Sequence, residues 1–133
     1  MHIRIVAPGL AGALVVGWWL AGSLAPVAAA GQAAGPVREI AVVAERFKFV
    51  PDRIEVTQGE RVRLNVRSAD GTHGLAIKKL KVDLSVPKGG RVVSVEFDAS
   101  QAGEFAITCS EYCGRGHSAM TGVLVVRPAG GVH

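Results

Sequence analysis

Several features that help to classify a protein are missing or scarce in this chain. It has 133 residues with two cysteines and two methionines, no internal repeat and no convincing helical periodicity. A chain of this length holds one domain with one core, since domains of about 100 to 150 residues are the commonest size. There is therefore no room for a second, catalytic domain, and the lack of helical periodicity argues against a helical fold.

Charge is missing from the N-terminal segment. No charged residue occurs between Arg4 and Arg38, and the apolar run there is followed by Pro26 and the small residues 28–30. A basic start, an apolar middle and a small-residue end are typical of a secretory signal peptide. The run also nearly reaches the roughly 20 residues that cross a bilayer, so a single membrane anchor is the alternative. In both cases we expect the residues after position 30 to be exported, to the periplasm or the outer face of the cytoplasmic membrane.

Composition divides the rest of the chain. We expect residues 1–30 to be the signal peptide or anchor, 31–38 a linker, 39–128 the folded domain and 129–133 a tail. The net charge is +4, and a candidate basic face comprises Lys78, Lys79, Lys81, Lys88 and Arg91. Nucleic acid is not an expected partner of an exported protein, so we interpret this face as a solvated surface.

Short runs in which apolar and polar residues alternate predict β-strands. The runs cover residues 40–42, 54–56, 62–66, 75–77, 91–97, 104–108 and 122–126, and turn signals separate them. About seven short strands predict an all-β, antiparallel β-sandwich. We expect Tyr112 to lie at a rim or to pack, and the core to contain Phe47, Phe49, Phe97 and Phe105.

Soft metal ligands are concentrated in one stretch, CSEYCGRGHSAM, which covers residues 109–120 and follows a turn, SADGTHGL, that contributes His73. Thiolate, imidazole and thioether together suit copper in both of its oxidation states, whereas calcium and magnesium prefer oxygen ligands. One interpretation is a mononuclear site of His73, Cys113, His117 and Met120, which leaves Cys109 unused. In another, both thiolates bridge two copper ions, and a main-chain carbonyl between the cysteines adds a weak ligand. Outside the cytoplasm, a disulfide between the two cysteines is the simpler alternative.

The stretch resembles the binuclear CuA motif of cytochrome c oxidase subunit II, C-S-E-x-C-G-x-x-H-x-x-M, and SADGTH is similar to the upstream histidine turn of that family, S-x-D-x-x-H. The similarity extends from about Phe47 to Arg127. It implies a cupredoxin-like Greek-key β-sandwich that binds two copper ions. The ligands implied by the resemblance are Cys109 and Cys113 as bridges, with His73, His117, Met120 and the main-chain carbonyl of Glu111.

The resemblance also implies a function. We expect an electron-transfer protein of a respiratory chain that takes single electrons from cytochrome c or another donor and passes them to a membrane haem-copper oxidase core subunit. No residue is predicted to be catalytic. The alternatives are a periplasmic copper carrier and a mononuclear blue-copper protein. Two family features, an aromatic-rich stretch ahead of the histidine turn and a two-helix membrane hairpin, have no counterpart here, which favours a single-anchor subunit or a free-standing relative.

One residue outside the ligand set has an expected role at the site. Asp70 precedes His73 by three residues and is a candidate to hold its imidazole in one tautomer. An aspartate at this position of a turn is also a common turn-forming residue, which is the simpler interpretation.

Overall fold

Two β-sheets make up the part of the chain that the structure, a computed structural model, describes, namely residues 35–130. The strands are β1 (Val37–Glu45), β2 (Lys48–Val50), β3 (Arg53–Thr57), β4 (Arg61–Ser68), β5 (His73–Ile77), β6 (Val82–Val86), β7 (Val93–Asp98), β8 (Gly103–Thr108) and β9 (Thr121–Arg127). Two short 3₁₀ helices, Lys78–Leu80 and His117–Ala119, lie in the connections. The predicted all-β sandwich is confirmed.

The strand pairing and the number of strands differ from the prediction. One sheet has the order β2-β1-β4-β7 and the other has the order β3-β9-β8-β5-β6. The pairs β1/β4 and β3/β9 are parallel, so the expectation of a purely antiparallel sandwich was wrong. The prediction also missed β2, which is only three residues long, and β6, in which Val82, Leu84 and Val86 alternate with polar residues. Parallel pairing is possible here because other strands separate the paired segments along the chain.

The core lies between the two sheets and follows from the alternation in the sequence. In β4, Val62, Leu64 and Val66 are fully buried, whereas the residues between them face outwards. Phe49 and Phe105 are buried, as predicted. Phe97 is only half-buried on β7, which lies at the edge of its sheet.

The prediction that Phe47 belongs to the core was wrong. Its side chain is 37% exposed. Phe47 lies in the turn between β1 and β2, outside the alternating pattern of either strand, so neither sheet face determines the direction of its side chain.

The predicted signal peptide or anchor lies outside the described residues, and the proposed division of the chain stays a prediction. The first strand begins at Val37, just before the predicted start of the domain at residue 39. Within residues 35–130, no helix has the length and apolar character needed to cross a membrane.

Candidate metal centre

The predicted ligands meet at one end of the sandwich. His73 is the first residue of β5, and Cys109 follows the last residue of β8. The backbone amide of Cys109 donates a hydrogen bond to the carbonyl of Met120 at 3.2 Å, which continues the antiparallel pairing of β8 with β9 by one step. The stretch between these two residues is therefore a closed loop, the ligand loop (residues 109–120), with both ends fixed by the sheet.

The sulfur atoms of the ligand loop form a tight group around Cys113. Its Sγ lies 3.6 Å from Sγ of Cys109, 3.8 Å from Sδ of Met120 and 3.9 Å from Nδ1 of His117. The carbonyl oxygen of Glu111 lies 3.1 Å from Sγ of Cys109. One ligand atom from each of Cys109, Cys113 and His73 lies within 4.8 Å of the others. The fold thus brings all six predicted positions together: His73, Cys109, Glu111, Cys113, His117 and Met120.

Both cysteines are thiols in this structure, not a disulfide. They are free, and their sulfur separation of 3.6 Å greatly exceeds the bond length of about 2.05 Å in a disulfide. Burial, together with the adjacent Cys109 thiol, raises the pKa of Cys113 to about 11. A ligand thiol must lose its proton on metal binding, so a bound cation would have to supply the energy of ionising this thiol.

His73 has one ring nitrogen engaged and one without a partner. Its side chain is fully buried, and Nε2 lies 2.6 Å from Oδ1 of Asp70. Nδ1 is also buried, and within the described residues it has no hydrogen-bond partner. A buried polar atom without a partner costs free energy unless something else binds it. The thiol, thioether and imidazole groups beside it are donors that suit a soft transition-metal ion, so the residues present fit a copper site.

Asp70 combines both roles considered from the sequence. It bonds to His73, and it also accepts hydrogen bonds from the backbone amides of Arg46 at 2.8 Å and Gly71 at 2.5 Å. The hydrogen bond with His73 is the main cause that lowers the pKa of Asp70 to about 2. The carboxylate is thus held by the turn and engages Nε2 of His73, which leaves Nδ1 as the available ligand atom.

We expect Asp70→Asn to weaken copper binding by about 10- to 100-fold, the range typical when a group that orients a ligand histidine is altered. The physical reason is that a neutral amide no longer fixes the tautomer with Nδ1 unprotonated. Copper affinity measured by competition with a chelator of known affinity tests this. Asp98→Asn, an exposed aspartate at the end of β7, is the matched control. Equal affinities for the two variants would contradict the role of Asp70.

Two aromatic side chains, Tyr112 and Phe47, lie at the rim of the site, and only Phe47 was not expected there. Tyr112 is 77% exposed, and its ring centroid lies 5.7 Å from that of His117, which agrees with the predicted rim position. The ring of Phe47 covers the backbone of the ligand loop so closely that a Cβ at Gly116 would lie 2.8 Å from its Cε2 atom. The glycines on either side of Arg115 were the only sequence signal of this close approach.

The ligand loop is also attached to the neighbouring strands. Oγ of Ser110 donates a hydrogen bond to Oδ1 of Asp83 on β6 at 2.7 Å. A cleft of about 370 Å³ lies on this side of the centre. Its lining comprises Lys78, Thr108, Cys109, Ser110, His117, Ser118 and Met120. The cleft therefore brings solvent, or a docked molecule, close to three of the predicted ligands.

Comparison with known protein families gives a match over most of the chain. The family model of the cupredoxin-like domain matches residues 11–126 of the sequence. Cytochrome c oxidase subunit 2 of Thermus thermophilus is 35% identical over 86 residues, which cover 65% of this chain and 63% of that protein. The chain thus spans less than two thirds of the length of this relative.

Solved structures show the same fold. The periplasmic domain of subunit II of cytochrome oxidase from Bradyrhizobium japonicum matches with a TM-score of 0.63 at 19% identity, over 69% of this chain and 85% of that one. A chain of a haem-copper terminal oxidase dimer matches with a TM-score of 0.61 at 24% identity, over 68% of this chain and 65% of that one. At these identities the likeness establishes the fold.

Proposed function

Because the chain belongs to the cupredoxin-like family, we propose that it binds two copper ions in a CuA-type centre and carries single electrons. The observation that carries this proposal is the cluster itself. Two buried thiols lie 3.6 Å apart, and imidazole, thioether and carbonyl groups surround them. A mononuclear site would leave one of the two thiols unused, although the two are equally buried at 7% exposure.

The proposed ligands have distinct roles. Cys109 and Cys113 would hold the two ions through their thiolates, and His73 would bind through Nδ1, the atom that lacks a partner. His117, Met120 and the carbonyl of Glu111 would complete the set. Two copper ions held in this way would supply a centre that accepts and releases a single electron.

The surrounding residues keep this set in place and limit the access of water. His73 and Met120 have no exposed surface, and Cys109 and Cys113 have little. The loop that carries five of the six ligands is fixed by β8 and β9 at its ends and by the bond from Ser110 to Asp83 within it. A rigid, largely buried ligand set needs little rearrangement when an electron arrives or leaves, and packed interiors resist such rearrangement.

The partners follow from the resemblance and the curated relative. We propose that the protein is exported, receives electrons from cytochrome c or another donor, and delivers them to the core subunit of a membrane haem-copper oxidase. The relative is named as subunit 2 of a cytochrome c oxidase, and it shares 35% of its residues with this chain over the matched region. No step in this role requires a substrate bond to break.

Copper titration of the purified protein tests the proposal. We expect two copper ions to bind per chain, a purple colour, and a seven-line copper hyperfine pattern in the electron spin resonance spectrum. The metal-free protein is the control for colour and spectrum. One copper with a four-line pattern would replace the proposal by a mononuclear blue-copper site. A colourless protein that binds copper and does not cycle between oxidation states would replace it by a copper carrier.

A further inference from the structure

Three exposed cations from separate chain segments surround the proposed copper centre. Arg46 lies in the turn between β1 and β2, Lys78 begins the 3₁₀ helix after β5, and Arg115 lies in the ligand loop. Within residues 35–130, none of the three forms an ion pair with a carboxylate. Their charges are therefore available to a partner.

A separate observation places each cation close to a proposed ligand. Arg115 is two residues from both Cys113 and His117 in the sequence. Lys78 lines the same cleft as Cys109 and His117. Arg46 lies near the His73 turn, where its Nη2 atom would be 3.0 Å from a Cβ at Gly71, and the ring of the adjacent Phe47 covers the ligand loop.

The carboxylates at this end are largely engaged. Asp70 bonds to His73 and to two backbone amides, and Asp83 accepts the hydrogen bond of Ser110. Glu45 pairs with Lys48 at 2.9 Å. Glu111 is half-buried, and neither it nor the exposed Asp52, which lies beside Gly122 at the start of β9, has a side-chain partner among the described residues. Asp70 and Asp83 keep their negative charges although they accept hydrogen bonds. The preference for an acidic partner therefore rests on the net charge of +4 and on the three unpaired cations, which can turn towards a docked molecule.

Most cations on the strands differ from those around the centre; Arg67 on β4 is the exception. Six cations elsewhere form ion pairs: Arg38, Lys48, Arg53, Arg61, Arg63 and Arg127. Lys79 and Lys81, which the sequence grouped with Lys78, line a separate groove together with Glu96 and Asp98. The predicted basic face is thus divided: Lys78 lines the cleft beside the centre, whereas Lys79 and Lys81 line the other groove.

We propose that this end of the protein docks an electron-transfer protein whose surface around its own redox group is acidic. The inference rests on the proposed function, because it assigns the partner of the same centre. Complementary charges orient two proteins and speed their encounter, with effects that range from about 10- to 1,000-fold. The exposed ring of Tyr112 beside His117 lies within this cationic surround and offers the direct contact.

Two forms of one donor test the proposal with the copper-loaded, oxidised protein. The donors are reduced mitochondrial cytochrome c and the same cytochrome with its lysines succinylated, which replaces each cationic amine by a carboxylate. In the reaction, one electron passes from the ferrous haem to the copper centre, and no bond forms or breaks. At an ionic strength of about 10 mM, where the Debye length is about 30 Å, we expect the succinylated donor to react about tenfold faster than the native one. Added salt should slow the succinylated donor.

Charge-reversal variants locate the effect on the surface. Lys78→Glu and Arg115→Glu should each slow the succinylated donor by about threefold or more at low salt, and the double variant should reverse the preference between donors. Lys79→Glu is the matched control, since it makes the same change in charge at the adjacent residue, which lines the other groove. Absorption and spin resonance spectra establish that the centre of each variant is intact.

The outcomes separate the two proposals. Three results would overturn the inference: equal rates for both donors, rates that do not depend on salt, or a faster reaction with the native donor. All three are measured on the unaltered protein, so they remain decisive even if a variant fails to fold. An effect of Lys79→Glu as large as that of Lys78→Glu would also count against it. A protein that accepts electrons from neither donor would overturn the proposed function and this inference with it.

Discussion

Replacing Cys113 by serine should abolish the proposed two-copper centre. The sulfur of Cys113 lies within 3.9 Å of the side-chain ligand atoms of Cys109, His117 and Met120, so it occupies the middle of the cluster. Serine has nearly the same shape, but its hydroxyl does not ionise near neutral pH and cannot bridge two soft cations. We expect copper binding to fall below one ion per chain, together with loss of the purple colour and the seven-line spectrum.

Met120→Leu is the matched comparison for Cys113→Ser, because it also removes the sulfur of one proposed ligand. Leucine is close to methionine in volume, so the fully buried side chain at this position can be replaced with a small cost in packing. A thioether that binds one ion weakly is dispensable for stoichiometry. We therefore expect this variant to keep two copper ions and to change only the reduction potential and the spectrum.

Elemental analysis gives the copper content of both variants, and spin resonance gives their copper spectra. Circular dichroism verifies that each variant is folded. If Cys113→Ser still bound two copper ions with a seven-line pattern, the thiol would not be a bridge. If both variants lost copper equally, Cys113 would have no special position among the ligands.

The grouping of the six proposed ligand positions could be predicted from the sequence because the information is local. Four proposed ligand side chains and the carbonyl of Glu111 lie within twelve residues, and the pairing of Thr108 with Thr121 closes this stretch into a loop. Only His73 comes from elsewhere, and the turn SADGTHGL marks it. Alternation in the strands predicted the buried positions in β4, since a period of two fixes which residues face the core.

The sequence could not predict what depends on contacts between distant segments. Parallel pairing of β3 with β9 joins residues about 70 positions apart, and nothing in either strand specifies the partner. Phe47 looked like a core residue because it is apolar, but its position in a turn places it over Gly114 and Gly116. The division of the basic residues between two grooves also depends on where the 3₁₀ helix after β5 lies.

Gly74 is a further position whose importance only the fold reveals, and Gly74→Ala should weaken both the fold and the metal centre. The residue is buried in β5 beside the ligand loop. A Cβ there would collide with Oγ of Ser110 and would lie 2.8 Å from the backbone nitrogen of Glu111. Because backbone atoms on this side cannot rotate away, the loop between the two cysteines must shift. Overpacking of this kind costs about 1–3 kcal/mol in the free energy of unfolding.

Two further variants separate this steric effect from a general effect of alanine. Gly35→Ala is the matched control, since a Cβ there would meet nothing within 4 Å, and it should leave the stability unchanged. Gly74→Ala combined with Ser110→Gly removes the hydroxyl and its carbon but leaves the backbone contact with Glu111, so it should recover only part of the lost stability. Urea unfolding of the metal-free proteins measures the stability, and chelator competition measures the copper affinity. We expect the copper affinity of Gly74→Ala to fall together with its stability, because the shifted segment carries the Glu111 carbonyl and joins the two thiols. A Gly74→Ala protein as stable as Gly35→Ala would mean that the ligand loop is free to move away from β5, and the rigidity assigned to the centre would then be wrong.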